Sequence, residues 1–81
     1  MPTNVCIYND NASLNTDTFK IVDKHNGRAV IASLPVRGGD TISFDCASDT
    51  QGYGDLEITN ITNNTLPLHF PFVRGGDVIY L

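Results

Sequence analysis

The 81-residue sequence predicts an all-β domain. The expected form is a small two-sheet β-sandwich of about seven short strands, built from two similar halves, with a partly open barrel as the neighbouring architecture. Three observations point there. A turn-plus-strand stretch is written twice, as Val36-Arg37-Gly38-Gly39-Asp40-Thr41-Ile42-Ser43-Phe44 and as Val73-Arg74-Gly75-Gly76-Asp77-Val78-Ile79-Tyr80-Leu81. Between Gly, Asn and Pro turn signals, apolar residues alternate with polar ones, the period of a half-buried strand. No segment combines helical periodicity with capping residues, and the helix formers Lys, Glu and Ala are scarce.

The repeat is longer than its turn. At the 37-residue offset between the two Arg-Gly-Gly-Asp turns, residues 19–44 fall on 56–81 without a gap. Ile21/Ile58, Asn26/Asn63, Val36/Val73 and Ile42/Ile79 are identical, and Phe19/Leu56, Ile31/Leu68 and Phe44/Leu81 are similar. Most matches outside the turn are apolar, as a shared core demands. Two copies are too few for a solenoid, whose faces are buried only by stacking several units. The expectation is therefore one domain, 1–81, with its halves packed face to face.

Taken in order, Thr3–Tyr8 reads as a strand with Val5 and Ile7 on one face and Cys6 and Tyr8 on the other. Residues 9–17 form a polar loop, with Leu14 expected to plug it onto the core. Thr18–Lys24 is the second strand. Asn26-Gly27 is the preferred pair for a two-residue hairpin turn. Ala29–Leu34 is apolar on both faces and is expected at the centre of a sheet, with Pro35 ending its pairing. Thr41–Cys46 follows the first glycine turn, with Ile42, Phe44 and Cys46 inward. Residues 47–55 form the longest irregular stretch and join the halves, a natural place for function. Leu56–Ile61 turns through Thr62–Thr65 into Leu66–Phe72, where Leu66, Leu68, Phe70 and Phe72 share one side. Pro67 and Pro71 make that strand an edge. Val78–Leu81 closes the sheet.

The net charge is −4, with only five Lys and Arg, and these are scattered. Phosphate-backbone binding needs clustered basic residues, so no nucleic-acid partner is expected. No apolar run is long enough to cross a bilayer, so no membrane insertion is expected. The sequence does not indicate a compartment. Cys6 and Cys46 are the only cysteines. They are compatible with a disulfide, which would place the protein outside the cell, and equally with two buried thiols. They lack the spacing of a zinc site.

Each candidate for chemistry competes with a plainer role. The Arg-Gly-Gly-Asp turns resemble phosphate cradles only in their glycines, because strands rather than helices follow them. Their glycines are better read as supplying positive φ. The acidic loop residues do not fit a calcium loop, and no metal or cofactor is expected. Neither a nucleophile elbow nor a Cys-His signature occurs, and Glu57 is the only glutamate, so the chain is not expected to be an enzyme. Tyr53 lies between Gly52 and Gly54, close to Asp49, Gln51 and Asp55. An aromatic ring beside amides and carboxylates suits ligand binding, a sugar in particular. The functional expectation is a non-catalytic binding or protein-interaction module. Two alternatives stand beside it: a carbohydrate-binding, lectin-like domain, and a small secreted effector or inhibitor stapled by a disulfide. Protein and glycan are both open as partners, as is a homo-oligomer formed through an edge strand.

Overall fold

A computed structural model describes residues 3–81. It contains seven strands: β1 (Thr3–Tyr8), β2 (Thr16–Asp23), β3 (Ala29–Arg37), β4 (Thr41–Cys46), β5 (Gly54–Asn60), β6 (Leu68–Val73) and β7 (Val78–Tyr80). They form two packed sheets, β4-β1-β7 and β3-β2-β5-β6, which do not close into a barrel. The predicted sandwich is therefore the fold. β1 pairs antiparallel with β4 and parallel with β7, so the first and last strands are neighbours.

The core lies between the sheets and follows the alternation. Val5 and Ile7 from β1, Phe19 and Ile21 from β2, and Leu56 and Ile58 from β5 are almost wholly removed from water. Val36, Cys46, Val73 and Ile79 complete it. Ile21 sits opposite Ile58 at the centre of the larger sheet, and Ile7 is flanked by Ile42 and Ile79 in the smaller one.

Both glycine turns have the same geometry. The amide of Asp40 donates to the carbonyl of Arg37, and that of Asp77 to the carbonyl of Arg74. Gly39 and Gly76 stand at the third position with φ near +90°. This is a type II turn, in which glycine fits that position without strain. Each turn also grips an end of β1, with Gly39 N–H donating to Asn9 O and Gly76 N–H to Asn4 O. The repeated motif thus clamps the central strand of the smaller sheet.

Several expectations are corrected. β3 is an edge strand, not a central one, and Val30 is exposed. Pro35 lies within β3, opposite Thr18, where the free edge leaves no ladder bond for its missing N–H to make. The β2–β3 connection is a short 3₁₀ turn, Lys24–Asn26, followed by Gly27 and Arg28 in the left-handed region, one place later than the Asn-Gly pair. Leu14 is about half exposed and lies over the first glycine turn, outside the core.

The regular alternation of β6 also fails. Gly54 pairs with Val73 and Leu56 with Phe70, so β6 carries one extra residue across that step. This bulge turns Val73 into the core and leaves Phe72 75% exposed.

Cys6 and Cys46 do not form a disulfide. In the β1–β4 ladder Cys46 is opposite Thr3, while Cys6 is opposite Ser43. The two are therefore three residues apart along the strand, roughly 10 Å at about 3.3 Å per residue. An odd separation also puts their side chains on opposite faces of the sheet. Cys46 is buried in the core and Cys6 is half-buried on the outer face. The inference of an extracellular location, which depended on that bond, loses its basis.

Candidate functional site

The segment between β4 and β5 is folded on itself by Asp49. Its carboxylate accepts hydrogen bonds from the amides of Gln51 and Tyr53, both at 2.9 Å. The Asp49 amide donates to Tyr53 O at 2.8 Å, and Gly52 N–H donates to Asp49 O. The amide of Tyr53 is the main reason the Asp49 carboxyl is held below the ordinary carboxylate range. Asp49 is thus a structural acceptor for its own loop, which leaves fewer of its lone pairs for a ligand.

The turn delivers Tyr53 to the start of β5, where it is half-buried and its ring meets Phe72 edge-on, 5.9 Å between centroids. Gln51 stays exposed at the tip. Asp55, next on the same outward face, places Oδ1 2.6 Å from His69 Nε2 on β6. Glu57 follows, within 3.4 Å of Lys24 and 3.5 Å of Arg28. Asp49, Gln51 and Tyr53 therefore share one turn, with Asp55 two residues further on. The structure adds Phe72 and His69 from β6. The two prolines already marked β6 as an edge, but an unbulged alternation hid Phe72 among the inward residues.

On the same side of the molecule the sandwich is open between β6 and β7. A cleft of about 320 Å³ runs between them, walled by His69, Phe72 and Val78 among others. Beyond it lies an apolar groove of about 390 Å³, lined by Phe19, Ile58, Asn60, Thr65, Leu66, Leu68 and Leu81. Leu66 (84%) and Leu68 (52%) are exposed in the groove, and Val78 is partly so at the cleft. The Pro67–Phe72 edge is legible in the sequence as a candidate apolar patch if its phenylalanines are exposed, but the spacing of Leu66 and Leu68 matches that of an inward-facing strand.

A third depression lies against Asp23, Asn26, Ile31 and residues 45–48. Asp23 is fully buried there and is satisfied by the amides of His25 and Ala47. The acidic loop 9–17 is likewise internally satisfied, since Asn9 and Asn11 both donate to Asp17. No group of three or more His, Cys, Asp or Glu side chains with metal-holding geometry occurs among the described residues.

No known protein family matches the chain, and neither a characterised protein nor a solved structure shows significant similarity to it.

Proposed function

We propose that the chain is a non-catalytic protein-interaction module that receives its partner along the open side between β6 and β7. The observation that carries this reading is the apolar surface there. Leu66, Leu68, Phe72 and Val78 are exposed and line two concavities there. Isolated apolar side chains are ordinary on a protein surface, but a grouping of this size beside a groove is characteristic of a docking face. Photo-crosslinking from position 72 in an extract of the source cells tests it. A discrete adduct from position 72, and none from Ser43 on the opposite edge, is the expected result. Equal labelling from both positions, or none from either, removes the reading.

The glycan alternative draws support from the Tyr53–Phe72 ring pair beside Gln51 and the Asp55–His69 pair. It predicts binding on a glycan array that Tyr53→Ala abolishes. An array without hits counts against it. Self-association is better suited to β3 than to β6, because β3 offers a nine-residue edge and β6 one of six residues. The effector or inhibitor alternative no longer has a disulfide to support it.

A further inference from the structure

We infer that the outer face of the smaller sheet is a binding site for a neutral carbohydrate, seated in the corner between the rings of Tyr8 and Tyr80. It shares Val78 with the β6–β7 cleft but does not rest on the docking reading. The side chains follow the period of two. Val5 and Ile7 turn into the core, so Asn4, Cys6 and Tyr8 turn outward from β1; Ile79 is buried, so Val78 and Tyr80 turn outward from β7. Parallel pairing in register then sets Tyr80 beside Tyr8 and Val78 beside Cys6. On the other flank the antiparallel ladder sets Thr41 beside Tyr8, Ser43 beside Cys6 and Asp45 beside Asn4. The three strands therefore present three rows, from Thr41, Tyr8 and Tyr80 at one end to Asp45 and Asn4 at the other.

Two properties separate this face from an ordinary solvated one. The first is charge. Asp45 is the only charged side chain in the rows, and it accepts a hydrogen bond from Asn4 Nδ2 at 2.9 Å. The outer face of the larger sheet, by contrast, carries Lys20, Asp55, Glu57 and His69, and its acids are paired with His69, Lys24 and Arg28. The second is the aromatic pair. Tyr80 is 71% exposed, and its ring meets that of Tyr8 with 5.5 Å between centroids and 65° between planes. Rings at that angle form a corner, where a coplanar pair would form a platform. A pyranose fits such a corner: its weakly positive C–H groups lie on the negative face of one ring, and its edge rests on the second. Thr41 and Ser43, both exposed on the neighbouring strand, supply hydroxyls that donate and accept, as a sugar's own hydroxyls require.

The size of the face decides between a sugar and a protein. Three strands about 4.8 Å apart and three rows about 6.6 Å apart make a patch of roughly 300 Å². A stable protein interface buries about 800 Å² on each partner, so a second copy resting on these rows alone would be held weakly. The net charge of −4 on each copy opposes that pairing further. An anionic sugar is disfavoured by the same charge and by Asp45. A short neutral glycan meets neither objection.

The test is a nuclear magnetic resonance titration of the full chain with the neutral hexasaccharides cellohexaose, maltohexaose, xylohexaose and mannohexaose. At least one should give saturable shifts at Tyr8, Tyr80, Thr41 and Ser43. Tyr80→Ala, at an exposed position, should weaken that sugar at least tenfold with an unchanged urea midpoint, and Tyr53→Ala should leave its binding unchanged. Oligogalacturonate of the same length, which is anionic, should give no shifts at these residues; equal binding of it removes the neutral class. No shift with any neutral sugar at millimolar concentration overturns the inference. Binding that Tyr53→Ala abolishes and Tyr80→Ala does not also overturns it, by placing the sugar at the Asp49 turn. A protein adduct from Ser43 in the crosslinking experiment overturns it too, by giving this face to a protein. The adduct from position 72 bears only on the docking face, so either proposal can fail without the other.

Discussion

Gly38 and Gly75 hold the same place in two copies of one motif, yet their surroundings differ. A Cβ on Gly38 would lie 2.2 Å from the main-chain oxygen of Asn11, whereas one on Gly75 would meet nothing within 4 Å. Backbone cannot swing aside as a flexible side chain does, so Gly38→Ala should cost about 3 kcal/mol. Gly75→Ala should stay within about 0.5 kcal/mol of the wild type. Urea unfolding midpoints of the two variants check this, and equal effects would mean that loop 9–15 does not pack on the first turn as described.

The two thiols are also unequal. Burial, followed by the nearby charges of Asp23 and Asp45, pushes the Cys46 thiol up from 9.0 to about 11. In the native state one thiol, Cys6, should react with an alkylating reagent, and both should react after unfolding. Because the folded protein holds the Cys46 proton more tightly than the unfolded chain does, its contribution to stability is full below pH 9. It is lost as pH rises towards 11, a change of about 2 kcal/mol. The alkaline loss should be smaller in Cys46→Ala by that amount, measured by denaturant unfolding at pH 8 and pH 10.5.

At the level of elements, β6 shows how one extra residue rearranges a surface. Alternation alone puts Phe72 with Phe70 on the inward side. The bulge passes that place to Val73, which is 4% exposed. Val73→Ala should therefore cost about 2 kcal/mol, from two lost methyl groups and a partly collapsed cavity. Phe72→Ala, although it deletes far more surface, should cost less than about 1 kcal/mol. The reverse order in thermal or urea unfolding would place the bulge elsewhere. The Asp49 turn works in the same local way. Its carboxylate organises the loop that presents Tyr53 and Gln51, so Asp49 belongs to the support of the candidate surface more than to the surface itself.

For the whole molecule the defining feature is β1, the strand outside the repeated segments. It lies between β4 and β7 and is clamped by both glycine turns. Its parallel pairing with β7 joins strands far apart in sequence, so the smaller sheet cannot finish before β7 arrives. Closing so long a loop before its contacts form slows folding. Refolding from denaturant should therefore take milliseconds to seconds. Relaxation in microseconds, measured by temperature jump, would contradict this topology.

Much of this was legible in the sequence because it depends on local rules. The period of two identified β1, β4 and the cores of β2 and β5. Gly-Gly located both type II turns, and the two prolines placed β6 at an edge. Asp49, Gln51 and Tyr53 lie together because a tight turn brings near neighbours in sequence into contact. What the tertiary structure alone decided is register and sheet order. Side-chain direction reverses with every residue along a strand, so a single bulge in β6 exchanged Phe72 for Val73. A three-residue offset between β1 and β4 separated Cys6 from Cys46. An apolar strand also looks the same at the centre of a sheet as at its edge, which is why β3 was misplaced. The groove at Leu68 is of this kind too: it is set by what packs against a strand from far along the chain, and no local pattern encodes that.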